Sequence, residues 1–171
     1  MDKVPSWWQI VLMTLAATRP VSWVLARVLP YLDRIVLDLT RNRQTATRML
    51  TGLPALTITT RGARTNRMYR TPLLSLQEGE NYLLVATNFG QRENPGWYYN
   101  ILANPEIEVT FDGETSRYFG AEVKGLDWRA YWEKAVAHYP GYSNYQRRAA
   151  GRRIPIIILS PIDRTVDEES G

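Results

Sequence analysis

The chain has no cysteine and a single histidine, His138. Without thiols there is neither a disulfide nor a thiolate nucleophile. One imidazole leaves a His-rich metal site or a Ser-His-Asp triad short of parts, so His138 is read as a helix-surface or cleft residue. Long apolar runs are missing too. WWQIVLMTLAAT, VSWVLARVLPYL and IVLDL lie in the first forty residues, interrupted by Arg19, Pro20, Arg27, Pro30 and Arg34. None reaches the roughly 20 uninterrupted apolar residues that span a bilayer as a helix. Nor does the start resemble a signal peptide, because Asp2 offsets Lys3 and no small-residue cleavage site follows. These segments predict short helices, either packed on the domain or lying at a membrane interface with Trp7, Trp8 and Trp23 as anchors. The expected location is cytoplasmic, with membrane association through these helices left open.

Phenylalanine is scarce, with three residues against six Trp and ten Tyr. Most aromatic rings therefore carry a polar tip, which suits a pocket for a flat, partly polar ligand and equally suits ordinary core and surface positions. The formal net charge is +4. Asp163, Asp167, Glu168 and Glu169 against Arg164 put −3 on residues 163–171, which leaves +7 on residues 1–162. That balance favours anionic ligands, anionic lipid surfaces or nucleic acid without choosing among them. At 171 residues the chain is long enough for one compact domain. The expected division is an N-terminal helical extension (1–51), a domain (52–160) and an acidic tail (161–171).

From Gly52 the pattern turns to strands. Leu56 and Ile58 alternate with Thr57 and Thr59, a Gly-containing turn leads to Leu73, Leu74 and Leu76, and Tyr82 to Ala86 is nearly all apolar. Ile107, Val109 and Phe111 alternate with polar neighbours before Asp112-Gly113, a hairpin turn into Phe119, Ala121 and Val123. Ile154 to Leu159 supplies a sixth strand with Pro155 near its entry. Asn94-Pro95 predicts a capped helix through Leu102, and Trp128, Tyr131, Trp132, Ala135, Val136 and Tyr139 mark one face of a helix from about Asp127 to Tyr139. The predicted class is mainly β with helices (α+β), a small six-stranded β-barrel with flanking helices, closed so that no long edge is exposed.

Three constellations could carry chemistry. Arg61, Arg64, Arg67 and Arg70 surround Gly62, and guanidinium forks with exposed backbone N–H groups hold phosphate or carboxylate oxygens. A solvated hairpin tip has the same composition. Arg64 and Arg70 are the stronger candidates, because under strand alternation the four need not face one way. Asn94 to Asn100 places Trp97, Tyr98 and Tyr99 at a helix start, where rings can wall a heterocycle or plug a barrel end. YPGYSNYQ sets Tyr139, Tyr142 and Tyr145 three apart. Their phenols can donate to an oxygen that gains negative charge, or can be satisfied core residues.

In order and separation, LTITTRGARTNRMYRTPLL, LLVATNFGQRENPGWYYNILANPEIEV, YPGYSNYQ and IPIIIL resemble the deazaflavin-dependent nitroreductases. These form the branch of the split β-barrel flavin and deazaflavin oxidoreductases that uses coenzyme F420, an 8-hydroxy-5-deazaflavin. LDRIVLDLTRNRQTATRMLTGLP, upstream, is similar to members as well. The resemblance implies hydride transfer from reduced F420 to an electron-poor acceptor such as a nitroaromatic, quinone or conjugated enone. It implies cofactor contacts at Ala63, Arg64 and Thr65, which match the turn at the phosphate-bearing tail. Tyr69, Arg70, Thr71, Pro72, Leu73 and Leu74 match the strand beside the ring. Val85, Ala86, Thr87 and Asn88 match a strand end approaching the deazaflavin, and Gly96, Trp97, Tyr98, Tyr99 and Asn100 a helix start on its other side. Tyr142 matches a tyrosine of the cofactor and substrate cleft. Catalytic roles are implied for Tyr142, Tyr145 and Thr87.

The turn departs from the family pattern, since Ala63 and Tyr69 stand at two usually basic positions while Arg61 and Arg67 add charge nearby. Phe89 stands where the family commonly has glycine, which would narrow the cleft. FMN on the same barrel is the less favoured cofactor. A non-catalytic deazaflavin binder and a peripheral membrane module are the alternatives from other classes, and nucleic acid is not expected.

Overall fold

The structure, a computed structural model, describes residues 55–162. The expected N-terminal extension and almost all of the acidic tail lie outside these residues. Six strands, β1 (Ala55–Arg61), β2 (Met68–Glu78), β3 (Asn81–Val85), β4 (Glu106–Phe111), β5 (Glu114–Glu122) and β6 (Ile156–Pro161), close a barrel in the order β1-β2-β3-β6-β5-β4. Every neighbouring pair is antiparallel. The predicted six-stranded α+β barrel is the fold observed.

Leu56, Ile58, Leu84, Ile107, Val109, Ile157 and Leu159 fill the interior. Helix α1 (Gly96–Ala103), between β3 and β4, adds Trp97, Tyr98 and Ile101 to the same cluster and plugs the barrel. Its approach requires Gly120 on β5, where a Cβ would lie 2.6 Å from Ile101 Cγ2 and 3.2 Å from Leu159 Cδ2. The hairpin into β5 turns at Asp112 (φ 49°) and Gly113 (φ 91°), both left-handed as a two-residue turn of this hand needs. Beyond it Gly120 points inward, while Phe119 and Ala121 lie on the exposed outer face.

Helix α2 (Gly125–His138) covers the outside of β3 and β6. Trp128 and Trp132 stack with centroids 5.4 Å apart, and Trp128 Nε1 donates to the Ile154 carbonyl at 2.9 Å. His138, its last residue, is exposed. A short helix α3 (Gly141–Arg148) follows at once. One expected detail differs. Asn94 does not cap α1. Pro95 occupies the cap position without a side-chain bond, and the Asn94 amide oxygen instead accepts from Arg152. Among the described residues no helix is long and apolar enough to cross a membrane, and no cluster of His, Cys, Asp or Glu could hold a metal.

Candidate active site

Strand β2 lays out the region, because its side chains alternate across the barrel wall. Leu73 follows its partner Leu56 into the interior and Thr71 follows Ile58, whereas Arg70, Pro72 and Leu74 take the outer face. The run Tyr69–Leu74 is thus divided, with alternate residues on opposite sides. Leu74 lies four positions along from Arg70, about 13 Å of strand.

At the apolar end, Leu74 and Val85 pack against Tyr139, Tyr142 and Tyr145, with Phe89 and Trp132 beside them. Tyr139 and Tyr142 meet edge-on at 5.0 Å, and Tyr142 and Tyr145 lie 6.3 Å apart. The hydroxyls of Tyr139 and Tyr145 are 3.3 Å apart and share a hydrogen bond. The Tyr142 N–H donates to the Tyr139 carbonyl at 3.1 Å, whereas its hydroxyl makes no hydrogen bond to any described residue. Burial pushes the phenols of Tyr142 and Tyr145 well above the ordinary value, with neighbouring Tyr139 adding to it. All three rings therefore remain protonated donors through the neutral range. Gly141 allows this packing, since the Tyr139 ring folds back across it and a Cβ there would lie 2.4 Å from Tyr139 Cζ.

The cationic end is the β1–β2 turn. The Gly62 N–H donates to the Arg67 carbonyl at 2.7 Å and the Asn66 N–H to the Gly62 carbonyl at 2.9 Å. Thr65 Oγ1 and the Tyr69 hydroxyl, 2.9 Å apart, close over Gly62, where a Cβ would lie 2.4 Å from Thr65 Oγ1. Asn100 joins this turn to α1. It accepts from the Ala63 N–H at 3.0 Å and donates to Thr60 Oγ1 at 3.2 Å. Arg64, Arg67 and Arg70 are exposed. The ion pairs of the described residues, Arg117–Glu106 and Lys134–Glu78, lie elsewhere.

Some predicted contacts are placed away from both ends. Trp97 and Tyr98 are in the barrel core, where Tyr98 donates to Glu122 Oε2 at 3.1 Å. That is the plug arrangement, and Tyr99 is the ring of this trio left half-exposed. Ala86 is wholly buried, its N–H donating to the Pro155 carbonyl at 2.9 Å. Gly96 is exposed, whereas Thr87, partly exposed, directly precedes the turn that carries Phe89 to the tyrosine cluster.

Arg152 was not a sequence candidate. One terminal nitrogen donates to the Ala86 carbonyl at 3.4 Å and to Asn94 Oδ1. The other donates to the carbonyls of Thr87 and Gln91, both at 3.1 Å. One guanidinium thus spans the whole β3–α1 connection. The only signal for it in the sequence is its place just before β6, the strand that pairs with β3.

The chain is similar to proteins of known description. A relative described as an F420H(2)-dependent quinone reductase from Mycobacterium tuberculosis is 33% identical over 113 residues, 63% of this chain and 73% of that protein. A solved F420-H2 dependent reductase superposes with a TM-score of 0.57 at 31% identity, covering 63% of this chain and 94% of the other. A structure described as a domain-swapped dimer superposes at 0.60 with 28% identity, covering 83% of this chain and 100% of its own. The family model described as F420H(2)-dependent quinone reductase matches residues 32–161, which includes both ends of the β2 face and every strand of the barrel. The deazaflavin dependence implied by the sequence motifs and the barrel seen in the structure thus agree, and this chain belongs to the F420H(2)-dependent quinone reductase family.

Proposed function

We propose that this protein reduces a quinone with a hydride from reduced F420, using the outer face of β2 as its binding track. The observation that carries the reading is the arrangement along that face, with Arg70 at one end and Leu74, against the tyrosine cluster, about 13 Å away. The residues suit such a cofactor. Arg64, Arg67 and Arg70 are donors without carboxylate competitors among the described residues, as an anionic tail requires, and Leu74 and Val85 offer an apolar platform for a flat ring. Bound reduced F420 supplies the hydride, and the two-electron chemistry is its own.

The chain's residues do the rest. Arg64 and Arg70 hold the anionic tail, while Leu74 and Val85 exclude water from beside the ring. Tyr142 donates from its hydroxyl to the quinone oxygen as negative charge gathers there, and Tyr145, fixed by Tyr139, shapes the acceptor face. A proton delivered through the same phenol completes the hydroquinone, with solvent restoring it. Thr87, at the exit of β3, is a second hydroxyl available to the acceptor. The N-terminal residues are proposed as a peripheral membrane contact that would bring the site to lipid-soluble quinones.

The test is to mix purified protein with reduced F420 and a series of benzoquinones and naphthoquinones, following the return of the oxidised chromophore. Turnover is expected with quinones. Absence of cofactor binding by equilibrium dialysis, together with no turnover, would overturn the reading.

A further inference from the structure

The connection after β3 has a backbone that its sequence does not favour. Asn88, Phe89 and Gly90 stand in succession at φ 47°, 54° and 79°. Left-handed backbone suits glycine, is tolerated by asparagine, and is costly for a bulky aromatic residue. Such conformations persist where the surroundings over-determine them, and they cluster at functional sites.

Within the loop the Asn88 side-chain amide donates to the Glu93 carbonyl at 3.0 Å, and two elements outside it hold it in place. The four acceptors of Arg152 lie on both flanks, Ala86 and Thr87 before the left-handed residues and Gln91 and Asn94 after them. The loop is also pressed onto α3. A Cβ at Gly90 would lie 2.8 Å from the Tyr145 carbonyl oxygen, so nothing larger than glycine fits there. The product is the position of Phe89. Its ring meets the Tyr145 ring edge-on, with centroids 6.1 Å apart and planes at 75°, and joins the cluster that includes Leu74 and Val85.

We propose that Phe89 limits the size of the acceptor at the tyrosine face and that Arg152 is the positioning residue that holds it there. The inference rests on the reading of this face as the quinone site. It goes further by assigning selectivity to two residues outside the cofactor track. Arg152 touches neither reactant. It acts through the loop, and a flat, compact quinone is the class of acceptor that Phe89 admits.

The test is a double-mutant cycle on the ratio of kcat/KM for a compact quinone to that for a bulky polycyclic quinone, with Phe89→Ala, Arg152→Ala and the double variant in the full chain. Phe89→Ala is expected to shift the ratio toward the bulky acceptor by about 10-fold, the scale of opening a hydrophobic pocket. Arg152→Ala should shift it the same way, and in the Phe89→Ala background it should shift it no further. Hydrogen exchange on the protein without cofactor gives an independent readout. The Gly90 and Gln91 amides, which donate to Thr87 and Asn88, should exchange faster in Arg152→Ala while amides of β3 and β6 do not. Arg152→Lys, a point charge unable to reach both flanks, should behave like the alanine variant and is the one measured if Arg152→Ala fails to fold.

Equal loss for both acceptors in either variant, or unchanged loop exchange, would overturn the proposal. Failure of the wild type to oxidise reduced F420 with any quinone would instead overturn the assignment of the site, and the exchange experiment would still report on the clamp.

Discussion

The hydroxyls of Tyr139 and Tyr145 lie 3.3 Å apart and engage each other, whereas the hydroxyl of Tyr142 beside them has no hydrogen-bond partner among the described residues. Removing an unpartnered hydroxyl leaves no orphan behind, so Tyr142→Phe is expected to fold with unchanged or slightly raised stability. If Tyr142 is the donor to the developing charge, the same variant loses about 10²-fold in kcat with cofactor affinity retained. Steady-state kinetics beside thermal unfolding separates the two, and full activity in Tyr142→Phe would remove Tyr142 from the mechanism.

Gly141→Ala tests whether the cluster must be this tight. The added methyl would lie 2.4 Å from Tyr139 Cζ and 2.6 Å from its hydroxyl oxygen, so the ring must move away and the pairing with Tyr145 must lengthen. A stability loss of about 1–3 kcal/mol is expected from overpacking, with a fall in kcat larger than that seen for an alanine placed at exposed Gly96, where nothing lies within 4 Å. Equal activity in the two variants would contradict it.

Arg70→Ala should weaken binding of F420 by about 10-fold or more, the worth of a charge-assisted hydrogen bond. Its signature is salt dependence. Wild-type affinity should fall as ionic strength rises and affinity in the variant should fall less steeply, because one exposed cation has been removed. Fluorescence titration at two salt concentrations reads both, and parallel salt curves would place the tail elsewhere.

Much of the barrel was legible because period-two alternation, Asp112-Gly113 and the helical stripe from Trp128 to Tyr139 each fix local structure without help from distant residues. The site was legible as segments but not as faces. The motif run Tyr69–Leu74 reads as one block, yet the pleat sends Leu73 to the core and Leu74 to the tyrosines. Trp97 and Tyr98 satisfied the composition of a ring wall and became the barrel plug, because Gly120 lets α1 approach closely enough to bury them. Arg152 was invisible for a different reason. Three of its four partners are backbone carbonyls of a distant segment, and a carbonyl leaves no mark on sequence.

Phe89→Gly and Phe89→Ala isolate the backbone cost at this loop. Both remove the ring and its contact with Tyr145. Elsewhere glycine is the less stable of the two by about 0.5–1 kcal/mol. At φ 54° the order should reverse, with Phe89→Gly more stable than Phe89→Ala by about 1 kcal/mol. Chemical denaturation of the pair measures it, and the ordinary order would mean that the loop is not left-handed in solution.

Tyr98 carries a prediction in pH. Burial, followed by its bond to Glu122, pushes its phenol up to about 12. The folded state therefore keeps this proton after the unfolded chain has lost it near pH 10. The stabilisation is complete below pH 10 and disappears as pH rises through 12. Tyr98→Phe removes the hydrogen bond to the carboxylate and should cost about 1–2 kcal/mol at pH 8. The deficit should narrow steadily between pH 10 and 12, where the wild type loses what the variant never had. Urea unfolding across that range measures the gap, and a deficit that stays constant to pH 12 would show that the phenol is not held protonated by the fold.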